Sequence, residues 1–126
     1  MDNNYYYIRN SIGSFFGFFI LAGIVKSIFY FTTNQYEVLG LILGVIVMIV
    51  GAVTIGYLNT ATASDIKWRK SLILHATLVF FMFLTDLTFG SSDFIFDLFR
   101  NIGLFVALQI GVLIYQIRDR KALVPN

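Results

Sequence analysis

Between Glu37 and Asp65 the chain carries no charged side chain, and Val38 to Leu58 is a continuous apolar run relieved only by glycine and threonine. Such a segment has no polar face to leave in water, and it matches the roughly 20 apolar residues that cross a bilayer core as one helix. Three more runs of this kind follow the same rule: Ile12 to Phe31, Ser71 to Phe89, and Phe94 to Ile117. Four spans consume about 80 residues. In a chain of 126 residues that leaves two ends and three short connections, with no room for a separate soluble domain. Only 13% of residues are charged, about half the share in a soluble domain, so a single soluble domain is excluded. The expected fold is an all-α integral membrane protein, one domain over 1–126, with spans at about 11–31, 38–58, 71–89 and 96–117. The lipid bilayer is its first partner.

Short polar segments divide the spans into two hairpins. Thr32 to Gln35 forms a tight turn after span one, and Gly90, Ser91 and Ser92 break the pattern after span three. The start, MDNNYYYIRN, is acidic and amidic where a cleaved secretory signal would be basic, so span one is expected to be retained. Positively charged flanks resist translocation. Arg9, Lys67, Arg69, Lys70, Arg118, Arg120 and Lys121 fall on one side, and Lys26 and Arg100 on the other, which accounts for all nine. Seven against two places both termini and the 59–70 connection in the cytoplasm and the two turns outside, in the cytoplasmic (inner) membrane.

Several chemistries are excluded by absence. There is no cysteine, hence no disulfide, thiolate metal site or cysteine nucleophile. The single histidine, His75, has no HExxH or paired-histidine spacing around it, and one axial ligand near a span end is poor support for haem. No cofactor and no metal are expected. Acyl or phosphoryl transfer lacks a nucleophile and base pair, so the chain is expected not to be an enzyme. The net charge of +2 comes from membrane anchors, which argues against direct nucleic-acid binding.

Small residues at helical spacing mark close helix contacts. Gly13 and Gly17, Gly40 and Gly44, and Gly103, Ala107 and Gly111 each lie on one stripe, where a neighbouring helix or a second copy of the chain packs closely. Trp68, His75 and Asp86 share a face of span three. A proton relay along that face is disfavoured, because His75 and Asp86 stand about 16 Å apart along the axis. Each is expected to find its own partner.

Two further groups carry charge. Lys26, Asp86, Asp97 and Arg100 lie toward the outer side, with Lys26 expected to pair with Asp86 or Asp97, since an unpaired intramembrane charge is costly. Asp97 and Arg100, three residues apart, can also pair on one helix. On the cytosolic side the available surface is Asp65, Lys67, Trp68, Arg69 and Lys70, together with Arg118, Arg120 and Lys121. The tail then continues into an apolar patch containing Leu123 that anchoring does not require. The first span lacks the carboxylate on which small multidrug antiporters depend, which disfavours that mechanism.

The segment IKWRKSLILHATLVF, with Trp68, Leu72 and His75, the acidic-tipped hairpin after it and the basic end of the last span resemble a family of short four-span bacterial proteins. Members are commonly encoded beside LytTR-type DNA-binding regulators. The resemblance implies a membrane component that binds and inhibits a cytosolic LytTR-type transcription regulator; no binding motif carries over residue by residue. The alternative, from a different class, is a small transporter, channel or bacteriocin-immunity-type membrane protein.

Overall fold

The computed structural model describes residues 3–90 and 93–123, and side chains within 4–90 and 93–121. It is all-helical: α1 Asn3–Thr32, α2 Glu37–Ala61, α3 Lys67–Phe89 and α4 Phe94–Leu123. Each is long and apolar enough to cross a membrane. All four extend beyond the apolar runs that mark them. A helix that continues past its apolar stretch keeps its backbone amides paired where polar side chains take over. α1 and α4, at 30 residues each, are about 45 Å long, against a hydrocarbon core of about 30 Å.

The first turn closes with the Tyr36 N–H donating to the Thr32 carbonyl at 3.1 Å, and Asn34 takes the positive φ of 85° that its short amide side chain tolerates. The α2–α3 connection ends at Ile66, which sits in the left-handed region at φ 41° and ψ 47°. That conformation is costly for a β-branched residue. The start of α1, the end of α2, the start of α3 and the end of α4 lie together and form the basal end. The two turns form the hairpin end.

α2 is central, packed against α4 and α1; α3 leans mainly on α4, and the α1 and α4 backbones are not neighbours, although Phe18 shares a buried cluster with Ala107 and Leu108. The α2–α4 crossing is backbone on backbone. A Cβ at Gly56 would collide with the Leu108 carbonyl, and one at Gly111 would lie 2.6 Å from the Tyr57 nitrogen and closer still to the Val53 carbonyl oxygen. Ala52, Ala107, Leu108 and Val112 are buried around this crossing. Between α1 and α2, Gly40 seats the Thr32 side chain and Gly44 lies against Phe29 and Val25.

The small-residue stripes therefore divide. Gly40, Gly44, Ala107 and Gly111 are contact positions, Gly17 meets Ile55, and Gly13 and Gly103 face open space. Gly56 belongs to a stripe of Ala52, Gly56 and Thr60 that the spacing arguments above did not pick out. Outward, the helices present large apolar side chains such as Phe15, Phe19, Phe31 and Phe99, a surface suited to lipid and not to water.

Candidate functional site

The buried polar groups concentrate at the basal end. Asn10 and Ser14 from α1, Asn59 and Thr60 from α2, and Lys70, Ser71 and His75 from α3 are all buried. A polar atom inside an apolar bundle is tolerated only when partnered, and no buried side-chain nitrogen or oxygen among the described residues is left without a partner. The hub is Asn59. Its Oδ1 accepts from Asn10 Nδ2 at 3.1 Å and its Nδ2 donates to Ser14 Oγ at 2.9 Å. Its backbone carbonyl accepts from the Tyr6 hydroxyl at 2.7 Å, and its Nδ2 lies 3.1 Å from His75 Nε2. Alongside, Ser71 donates to Thr60 Oγ1 at 3.0 Å. Ser71 and His75, four residues apart, thus point to different partners and form no nucleophile–base pair.

The donor directions can be assigned from one end. Arg9 has only donors, and its Nε bonds Asn10 Oδ1 at 3.0 Å, so the Asn10 amide nitrogen must face Asn59 Oδ1. Asn59 then has only Nδ2 to offer the ring, and Nε2 of a neutral His75 is the acceptor, leaving the proton on Nδ1. Gln109 Nε2 lies 3.4 Å from Nδ1, so with the proton on Nδ1 two donors would oppose each other; turning the amide end for end brings its oxygen to accept and completes the sequence. Arg9, Asn10, Asn59, His75 and Gln109 form one chain of hydrogen bonds with a single sense, touching all four helices.

The flanking charges separate into two types. Lys70 Nζ is bonded to Asp65, whose carboxyl is held below its ordinary range by that hydrogen bond and by the lysine's charge. Trp68 and Arg69 stand exposed beside them on the first turn of α3. Trp68 therefore does not share the environment of His75, although the two lie on nearly the same helical azimuth, because the other helices cover only the later turns. Lys67 donates to the Tyr115 hydroxyl at 2.8 Å and Arg118 to the Tyr57 hydroxyl at 3.1 Å. Arg120 and Lys121 are exposed in the last turns of α4. The side chain of Leu123 lies outside the described residues, as do residues 124–126.

At the hairpin end Arg100 bonds Asp86 at 2.5 Å and Asp97 at 3.4 Å, and Asn101 Nδ2 donates to Asp86 at 2.8 Å. Asp97 is buried while Arg100 is exposed. Lys26 does not join them. It lies on the exposed flank of α1, whose backbone does not neighbour α4, and no carboxylate among the described residues comes within 4 Å of it. The expectation that it pairs with Asp86 or Asp97 is corrected: Arg100, one turn beyond Asp97, reaches both carboxylates first. Lys26 is left to extend along the helix toward water.

The sequence pointed to His75 but not to its partners. Asn10, Ser14 and Asn59 each look like ordinary boundary residues until the helices are assembled. Asn59 is nevertheless an amide placed immediately after a 21-residue apolar window, a position from which it can turn inward. Compared with known proteins, the chain matches no family model, no curated sequence and no solved structure.

Proposed function

We propose that the chain is a multi-pass protein of the bacterial cytoplasmic membrane, with its basal end in the cytosol, that holds a cytosolic LytTR-type transcription regulator in check. One observation carries this reading: exposed Trp68 and Arg69 stand on the first turn of the helix whose Lys70 bonds Asp65, whose Ser71 bonds Thr60 of α2 and whose His75 joins the four-helix polar network. A partner seated on that first turn would be coupled to how the bundle packs. The mechanism is differential binding, in which a signal releases the regulator only by favouring a bundle arrangement that binds it less well. The basic side chains of the basal end, by the positive-inside rule, support the orientation.

The experiment is co-purification from detergent-solubilised membranes with the regulator, using the whole chain and a form truncated after Lys121. The truncated form keeps every apolar run and basic anchor, so insertion should persist while capture weakens if the tail docks. A second reading, a small transporter, channel or immunity-type protein, is favoured by the Asp86, Asp97 and Arg100 cluster, which places ionised groups at the hairpin end. Unchanged transcription on deletion, together with altered ion or toxin sensitivity, would replace the first reading with the second.

A further inference from the structure

At the basal end, two cations are held by neutral groups alone. Lys67, at the first position of α3, donates to the Tyr115 hydroxyl at 2.8 Å, with its Nζ 4.8 Å from the centre of the same ring. Arg118 donates to the Tyr57 hydroxyl at 3.1 Å, and the two tyrosine rings meet edge to face at 5.4 Å. The four side chains thus form a continuous row from α3 across α4 and α2. No carboxylate among the described residues lies within 4 Å of either cation, whereas Lys70 has Asp65 and Arg100 has Asp86 and Asp97.

Donor accounting shows what this row lacks. Each phenol oxygen accepts from a cation, and neither phenol O–H donates to a protein acceptor among the described residues. Lys67 uses one N–H on Tyr115 and a second, at 3.5 Å, on the Ala61 carbonyl, which leaves a third. Arg118 uses one of its five. A hydroxyl already accepting from a cation is polarised into a better donor. The row is a set of donors with two positive charges and no anion. It stands at the ends of α2 and α4, where tyrosine rings and basic side chains meet the headgroup layer if the helices insert.

We propose that Lys67, Arg118 and the hydroxyls of Tyr57 and Tyr115 form a site for one phosphate ester, supplied by an anionic phospholipid headgroup or by a soluble phosphate. The donor set suits a tetrahedral oxyanion. Several oxygens can accept from separated donors at once, and a headgroup without its own ammonium leaves the two cations to be neutralised by the phosphate. The site does not depend on a regulator, and the test contains none.

The test uses the purified full chain in detergent, with native mass spectrometry after adding phosphatidylglycerol or phosphatidylcholine of matched acyl chains, and with thermal unfolding in the presence of inorganic phosphate. Preferential retention of phosphatidylglycerol, lowered about tenfold in Y57F/Y115F, supports the site with a lipid source. That variant keeps both rings and every charge, so it isolates the hydroxyls; R120Q/K121Q removes two neighbouring cations and should leave retention unchanged. A phosphate-dependent rise in the unfolding temperature that Y57F/Y115F abolishes, without lipid preference, supports the site with a soluble source. Equal retention of the two lipids with no phosphate effect, or retention that falls in R120Q/K121Q and not in Y57F/Y115F, overturns it.

Discussion

Two glycines of α4, eight residues apart, should respond to the same substitution with opposite sign. At Gly111 an added Cβ meets the backbone of α2, at the Val53 carbonyl oxygen and the Tyr57 nitrogen, and neither can move without shifting the helix. Spreading α2 from α4 loosens the contact that buries Ala52, Leu108 and Val112. Overpacking of this kind costs about 1–3 kcal/mol, against which replacing glycine by alanine in a helix returns about 1 kcal/mol. Because the obstacle is backbone, the upper part of that range applies, about 2–3 kcal/mol, and G111A should be destabilised by a net amount of about 1–2 kcal/mol. At Gly103 nothing lies within 4 Å of the added atom, so G103A should gain stability, by up to about 1 kcal/mol. Sodium dodecyl sulfate titration of each variant in mild detergent, followed by far-UV circular dichroism, measures both shifts against the parent. If G111A is as stable as the parent, or if G103A loses more than G111A, the close α2–α4 crossing is wrong.

Asn59→Ala removes the hub and strands Asn10, Ser14 and the His75 ring, so the same titration should show a loss of about 1–3 kcal/mol, while N101A, at the hairpin end, leaves the basal network intact. Single cysteines, introduced into a chain that has none, should react with a membrane-impermeant thiol reagent in intact cells at Asn34 and not at Ser64; the reverse pattern would invert the orientation. Asp65, whose folded-state pKa is lowered by the hydrogen bond and charge of Lys70, contributes stability that is complete above the ordinary carboxylate range and disappears as pH falls through the lowered value. A D65N form should lack that acid-side decline in its unfolding midpoint, and an unchanged decline would assign it to other carboxylates.

The helices were legible because each apolar run is as long as a bilayer span, and a polar, glycine-containing or charge-rich interruption of such a run is easy to see. Contacts were legible only in part. Gly40 and Gly44 were found by spacing, but the same spacing marks Gly13 and Gly103, which face open space, and misses Gly56, whose stripe runs through Ala52 and Thr60. Periodicity locates a face without saying which faces meet. Lys26 shows the same gap: depth along the helix pointed to Asp86, yet depth carries no information about which side chains meet, and Arg100 of α4 takes both Asp86 and Asp97. The Asn59 hub escaped because its partners lie 16 to 53 residues away along the chain and each, by itself, resembles a boundary residue.

A file of amides and one imidazole can order its protons in either of two senses, much as a row of water molecules in ice can. In this chain the degeneracy is lifted at one end by two groups together: Arg9 can only donate to Asn10 Oδ1, and Thr62 Oγ1, its own proton given to the Leu58 carbonyl, can only accept from Asn10 Nδ2; Asn10 then fixes Asn59, which fixes the tautomer of His75. Drawing Arg9 to another acceptor does not by itself restore the second sense, because Thr62 still holds the Asn10 amide in the same orientation; both must let go before the proton on the His75 ring can sit on Nε2. The proton order at the centre of the bundle is thereby insulated from any single contact made at its edge.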